Sequence, residues 1–170
     1  MGITHMIALG VALVACITDV RTRRIPNILT FGAAAAGLGA GAALNGTDGV
    51  LTASAGWGVG VAVFFIPFAL GGLGAGDVKL MAALGAWLGP GDALWLGVHT
   101  ALAGGVAAIV VATARGYLRT AFANIWMLLT HWRVNGVRPL TEVSLEGSSG
   151  PRLAYAVPIL CGLVVTIWLR

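Results

Sequence analysis

The chain has 170 residues, of which 58% are hydrophobic and 9% are charged, and its mean hydropathy is +0.93. A soluble domain has about a quarter of its residues charged, so this composition excludes a soluble protein and predicts a single membrane-embedded domain over residues 1–170. The net charge of +4 comes from basic residues spread between apolar segments. Because a nucleic-acid binder carries a clustered basic patch, we expect no nucleic-acid partner.

Six apolar runs follow one another along the chain, and each predicts a membrane helix. They cover residues 3–17, 28–44, 50–70, 78–88, 93–114 and 153–169. Crossing a hydrocarbon core of ~30 Å takes about 20 residues, so the fourth run is clearly short. Either it continues beyond Gly89-Pro90-Gly91, or it begins inside the membrane at a broken helix end.

A further helix with one apolar face is predicted over residues 119–133. Its apolar side chains recur at the spacing i, i+3, i+4 and i+7, at Phe122, Ile125, Trp126 and Leu129. This spacing is typical of an interfacial amphipathic helix, and the glycines, prolines and serines of residues 134–152 predict a flexible loop after it. The expected fold class is therefore all-α, a polytopic membrane protein with about six transmembrane helices and one interfacial amphipathic helix.

Charge placement predicts the orientation of these helices. If the amino terminus lies outside and every run spans, nine of the ten basic residues lie inside and only Arg170 lies outside, as the positive-inside rule requires. The same orientation puts Asp19 and Asp77 together on the cytoplasmic side and Asp48 and Asp92 on the opposite side. We therefore expect a multi-pass protein in contact with membrane lipids.

Asp19 and Asp77 are the main indication of function. Only six residues of the chain are acidic, and an ionisable side chain at the end of an apolar run is costly enough to indicate a functional role. Two neighbouring carboxylates share one proton and can serve as acid and base in hydrolysis. Each aspartate also has a structural interpretation: Asp77 as a helix N-cap, and Asp19 as the partner of a nearby arginine.

The two aspartate motifs together resemble those of the type IV prepilin peptidases, the membrane aspartic proteases with a GxGD signature. Residues 19–27 (DVRTRRIPN) match the family pattern of an aspartate followed by a basic segment that ends in Ile-Pro-Asn, and residues 74–80 (GAGDVKL) match GxGDxKL. The resemblance extends over essentially the whole chain. It implies that Asp19 and Asp77 are catalytic. It also implies a set of substrate-binding or supporting residues: Gly74, Gly76, Lys79, Pro26 and Asn27.

The resemblance further implies an intramembrane endopeptidase of the bacterial cytoplasmic membrane. Its substrate would be a prepilin, with a basic cytoplasmic leader followed by a hydrophobic helix. Long members of the family carry paired CxxC motifs and also methylate the new pilin amino terminus, and neither motif is present here. The chain is therefore similar to the short form found with tight-adherence (Flp) pilus systems, or to an archaeal preflagellin peptidase, and methyltransferase activity is not expected.

Neither a metal nor a cofactor is expected, because the three histidines, His5, His99 and His131, lack metal-ligand spacing. Two other classes of function stay open. A proton-coupled transporter would use the two aspartates as a relay, although the halves of the chain share no paired motifs. A non-catalytic platform for a pilus or secretion machine would use them only as helix caps and ion-pair partners.

Overall fold

A computed structural model describes residues 2–136 and 154–170, and this part of the chain contains helices and no strand. The helices are α1 (Ile3–Thr22), α2 (Asn27–Ala69), α3 (Ala75–Leu88), α4 (Pro90–Ala114), α5 (Leu118–Asn135) and α6 (Ala156–Leu169). The prediction of an all-α fold is confirmed. The loop predicted over residues 134–152 lies, beyond Gly136, outside the described residues.

Three helices, α1, α2 and α4, are long and apolar enough to cross a membrane. Large apolar side chains on them are exposed, among them Leu102, Val106 and Ile109 on α4, which is the surface that a lipid-solvated protein presents. The chain is therefore a membrane protein. Helices α3 and α6 have 14 residues each, about 21 Å of helix, so the count of six spans stays a prediction.

Helix α2 contains the second and third apolar runs and reverses direction between them. Asn45 and Gly46 have non-helical backbone angles, and the φ of 58° and ψ of −135° at Gly46 fall where glycine is favoured. The two halves then fold back on each other at closely packed glycines: a Cβ added to Gly41 would lie 2.6 Å from the carbonyl oxygen of Gly49. The two runs are therefore the arms of one helical hairpin.

The first arm of this hairpin runs parallel to α3. The ammonium of Lys79 donates to the amide oxygen of Asn27 at 3.0 Å, and the indole N–H of Trp87 donates to the carbonyl of Ala33 at 2.8 Å. Residues 27 and 33 of α2 thus lie beside residues 79 and 87 of α3, so the two helices run in the same direction. The start of α2 and the start of α3 consequently lie side by side.

The second arm runs antiparallel to α3 and approaches it through glycines. The backbones of Gly56 and Gly85 are in contact, and a Cβ added to Gly60 would lie 2.7 Å from the carbonyl carbon of Met81. Small residues allow such close approach of helices in membranes. Helix α3 is consequently the centre of the bundle, with every residue from 80 to 86 buried.

Helix α3 ends at Leu88 because Gly89 has a φ of 80°, and Pro90 then opens α4, where the missing N–H of a proline costs nothing. The alternative that the fourth run continues beyond Gly89-Pro90-Gly91 is therefore wrong. Asp77 lies instead in the first turn of a short helix at the centre of the fold.

Helix α6 packs against α1 and α4 and is antiparallel to α4. A hydrogen bond of 2.8 Å joins His99 of α4 to Thr166 of α6, and an ion pair of 3.3 Å joins Asp92 to Arg170. The far end of α6 is thereby held beside the start of α4. Its near end, at residues 155–156, lies with the end of α1.

The predicted amphipathic helix is present as α5. Its apolar stripe is exposed, and Trp126 is the most exposed member at 72%. Of the other helices, α5 contacts chiefly α4. Its position in a membrane interface stays a prediction.

Candidate active site

The turn between α1 and α2 follows directly from the last turn of α1, which carries the first aspartate. The helix ends where Arg23 takes a left-handed conformation with a φ of 56°, and the N–H of Arg23 donates to the carbonyl of Asp19 at 2.8 Å, a common form of C-cap. Pro26 has a φ of −62° and a ψ of 133°, and α2 begins after it. Pro26 thus lies one residue before the first residue of this helix. Residues 23–26 are called the basic turn below.

The carboxylate of Asp19 is buried, with 8% of the residue exposed, and it accepts the backbone N–H of Ala156 at 3.3 Å. Ala156 is the first residue of α6, where backbone N–H groups lack helical partners and the helix dipole is positive. This contact explains why a carboxylate is tolerated in the last turn of α1, where its own helix dipole is unfavourable. The start of α6 offers the compensating interaction.

Asp77 is also 8% exposed, and one of its carboxylate oxygens accepts the N–H of Gly74 at 3.1 Å. In return, the N–H of Asp77 donates to the carbonyl of Gly74 at 3.1 Å. The interpretation of Asp77 as the N-cap is therefore wrong, because Gly74 occupies that position and Asp77 lies three residues later. There it reaches back to the cap backbone, as the acidic residue of a capping box does.

Asp19 and Asp77 line a single cavity of about 350 Å³, called the dyad cavity below. The remaining lining residues come from the basic turn, the start of α2 and the glycine-rich segment before Asp77; they are Arg23, Arg24, Ile25, Pro26, Asn27, Gly74 and Gly76. The fold thus brings together two motifs that are distant in sequence. Of the predicted site residues, Lys79 alone does not line the cavity.

Gly76 allows the basic turn to lie against the start of α3. A Cβ added to Gly76 would be 3.3 Å from the Cβ of Ile25, closer than a side chain ordinarily packs. The glycine therefore sets the spacing between the two segments that carry the aspartates. This is a packing role, and it is consistent with the supporting role that the sequence motif implies.

Lys79 lies one half-turn beyond Asp77, on the side of α3 that faces the start of α2. Its ammonium donates to the Oδ1 of Asn27 at 3.0 Å and lies 5.3 Å from the centre of the Phe31 ring. Such a position over an aromatic face is favourable for a cation. Lys79 therefore contacts Asn27, which lines the dyad cavity, but does not line the cavity itself.

The cavity has lining residues that sequence reasoning assigned to other roles. Arg23 and Arg24, which we interpreted as determinants of membrane orientation, also line it. Their place in the cavity lining could have been predicted, since both lie inside the 19–27 motif. The contact of Ala156 with Asp19 had no such signal, because no motif marks the start of α6.

The arrangement is suited to acid–base chemistry on a substrate that binds in the dyad cavity. Two aspartates share a cavity many times larger than the ~30 Å³ that one water occupies, and Arg23 and Arg24 also line it. Within residues 2–136 and 154–170, no three histidine, cysteine, aspartate or glutamate side chains cluster as a metal site would need. A water-activating carboxylate pair is the chemistry these groups support.

Comparison with known proteins identifies the family. The model of the type IV leader peptidase family matches residues 6–114, which include α2, α3, both aspartates and the whole lining of the dyad cavity. Comparisons with curated proteins and with solved structures found no match. The resemblance seen in the two motifs is thus confirmed over more than half of the chain. The chain belongs to the type IV leader peptidase family and is a membrane-bound protease.

Proposed function

We propose that this protein is an aspartic endopeptidase in which Asp19 and Asp77 form the catalytic pair. The observation that carries the proposal is their shared cavity: both carboxylates are buried and both line it. Each is held by a backbone N–H, from Ala156 and Gly74 respectively. In the proposed mechanism, the carboxylate oxygens that remain face this common space.

The reaction follows from the chemistry of a carboxylate pair that holds one proton. The ionised carboxylate removes a proton from a water, and the water oxygen attacks the carbonyl carbon of the scissile peptide bond. The protonated carboxyl group donates to the carbonyl oxygen as the tetrahedral intermediate forms. Transfer of a proton to the amide nitrogen then releases the two products.

The proposed substrate is an Flp-like prepilin, with a basic leader that precedes a hydrophobic helix. The dyad cavity lies at the end of a bundle whose sides are apolar, so the substrate helix can lie in lipid beside the bundle while the adjoining extended segment enters the cavity. The basic residues Arg21, Arg23, Arg24 and Lys79 gather at this end of the bundle. By the positive-inside rule this end faces the cytoplasm of a bacterial inner membrane, and the amino terminus lies outside.

The proposal is tested by co-expressing a prepilin with Asp19→Asn or Asp77→Asn. Asparagine keeps the shape of the side chain and an oxygen that accepts the N–H of Ala156 or Gly74, but it cannot serve as a base. We expect leader removal to stop in both variants while the amount of protein in the membrane is unchanged. Asp48→Asn, on an exposed residue at the opposite end, is the matched control and should process normally.

Leader removal that continues in either folded variant would contradict the catalytic pair. A non-catalytic platform predicts that pilus assembly survives both substitutions, because asparagine still caps and accepts hydrogen bonds. Mass spectrometry of the mature pilin gives the cleavage position. The same spectrum shows whether the new amino terminus is methylated, which the sequence predicts it is not.

A further inference from the structure

Asn27 lies at the edge of the dyad cavity, and its side-chain amide is in contact with Lys79. Asn27 is the first residue of α2 and lines the cavity with Asp19 and Asp77. Its Oδ1 accepts a hydrogen bond of 3.0 Å from the ammonium of Lys79. An ammonium group has three donors and no acceptor, so it can bind only the oxygen of the amide.

The ammonium of Lys79 is itself held by a second contact. It lies 5.3 Å from the centre of the Phe31 ring, one turn along α2 from Asn27. The side chain therefore bridges α3 and the first turn of α2 and is not directed at the carboxylates. Its position selects one of the two amide orientations of Asn27.

With the oxygen of Asn27 engaged, the Nδ2 group is left to donate. Asn27 is exposed and borders the cavity, and among the described residues its side chain has one hydrogen bond, the one from Lys79. We propose that Nδ2 of Asn27 donates a hydrogen bond to a backbone carbonyl of the substrate peptide, and that Lys79 is a positioning residue that holds the amide for this purpose. The inference rests on the proposed peptidase function and adds a specific substrate contact to it.

A hydrogen-bond donor at the edge of the dyad cavity would bind a substrate carbonyl, which an ionised carboxylate cannot do. An extended peptide presents one carbonyl acceptor per residue, whereas an ionised carboxylate can only accept. A neutral amide donor beside the pair can bind a substrate carbonyl without adding charge to the carboxylates. Removing one such pre-oriented donor from a protease typically lowers the rate by about a hundredfold or more when it contacts the oxyanion.

The direct test is Asn27→Asp in the purified protein, with a prepilin peptide as substrate. Aspartate has nearly the same shape and still accepts from Lys79, but it lacks the two N–H donors and adds a negative charge beside the pair. Asn27→Ala, which removes the donors without adding charge, is measured beside it and should show a similar loss. We expect kcat/KM to fall about tenfold to a hundredfold, with the protein still monodisperse in detergent and its unfolding temperature unchanged. A value of kcat/KM equal to that of the wild type would overturn the assignment.

The role of Lys79 is tested by a double-mutant cycle of Lys79→Met and Asn27→Ala. Methionine keeps an apolar chain of similar length but has no donor, so the amide of Asn27 is free to rotate and kcat/KM should fall. If Lys79 acts through Asn27, the double variant should be no slower than Asn27→Ala alone, and Lys79→Arg should restore most of the activity. Losses that simply multiply would overturn the positioning role.

The pH profile of cleavage gives a readout that separates this role from a direct effect on the carboxylates. Lys79→Met should lower the rate at every pH by the same factor. A shift of the profile would show that Lys79 acts on the pair itself and would overturn the inference. Cleavage that survives Asp77→Asn contradicts the proposed function, whereas cleavage that is lost in Asp77→Asn but kept in Asn27→Asp contradicts only the role of Asn27.

Discussion

The backbone N–H of Ala156 donates to the carboxylate of Asp19 across 137 residues of chain. Ala156 opens α6, which lies outside residues 6–114 that match the family model. The contact nevertheless reaches one of the two aspartates of the candidate site. Helix α6 is therefore part of the structure that holds Asp19, and its packing should influence cleavage.

Substitution of Gly162 tests this influence. A Cβ added to Gly162 on α6 would lie 2.5 Å from the Oγ1 of Thr100 and 2.6 Å from its backbone nitrogen on α4. Gly162→Ala should push α6 away from α4, lower the free energy of unfolding by about 1–3 kcal/mol and slow cleavage. Thermal unfolding in detergent and the cleavage rate measure both effects.

Gly105→Ala is the matched control, because a Cβ added there meets no atom within 4 Å. Alanine favours a helix over glycine at both positions, so helix propensity alone would stabilise both variants. Equal behaviour of the two variants would show that the contact of α6 with α4 does not hold the site.

The glycine contact between α2 and α3 gives a second prediction, on stability. The backbone of Gly56 touches that of Gly85, and a Cβ added to Gly56 would lie 2.9 Å from the carbonyl carbon of Gly85. Gly56→Ala should therefore lower the free energy of unfolding by about 1–3 kcal/mol. Gly58→Ala, two residues away in open space, gains only the higher helix propensity of alanine and should raise it by up to about 1 kcal/mol. A similar unfolding temperature for both variants would contradict the close approach of α2 to α3.

The structural and catalytic roles of Asp77 can be separated by two substitutions. Asp77→Asn keeps an acceptor for the N–H of Gly74, whereas Asp77→Ala removes it. Loss of such a hydrogen bond costs about 0.5–1.5 kcal/mol. We expect both variants to be inactive and only the alanine variant to unfold at a lower temperature. An asparagine variant as unstable as the alanine variant would contradict the capping role.

The ion pair between Asp92 and Arg170 should matter little for function. It lies at the end of the bundle away from the candidate site, and its side chains are 28% and 45% exposed respectively. Exposed ion pairs contribute about 0–1 kcal/mol, so Arg170→Met should change the unfolding free energy by no more than this and leave the cleavage rate unchanged. A marked loss of cleavage would show coupling between the two ends of the bundle.

Much of the fold followed from local features of the sequence. The apolar runs predict helices because a membrane helix buries its backbone within one segment, and the gap between the second and third runs marks the reversal at Asn45 and Gly46. The two aspartate motifs predicted most of the residues that line the dyad cavity. These signals are short-range, so they can be read from a single chain.

The other features of the fold and of the candidate site depend on packing between helices that are distant in sequence. The contacts of Ala156 with Asp19 and of Lys79 with Asn27 join different helices, and no local pattern indicates them. The sequence leaves two alternatives for the end of α3, because the φ of Gly89, 80° in the fold, cannot be deduced from the residue type. Similarly, the structural alternative of Asp77 as an N-cap fails because capping depends on where the helix begins, and α3 begins at Ala75, two residues before Asp77.

The central claim, that Asp19 and Asp77 together catalyse peptide hydrolysis, is tested most directly by single-turnover cleavage of a prepilin peptide with purified protein. We predict that the wild type cuts one bond between the basic leader and the hydrophobic segment. Asp19→Asn and Asp77→Asn, each folded and monodisperse, should cut at least about a thousandfold more slowly, as when one member of a catalytic set is removed. Cleavage at the wild-type rate by either variant would contradict the claim.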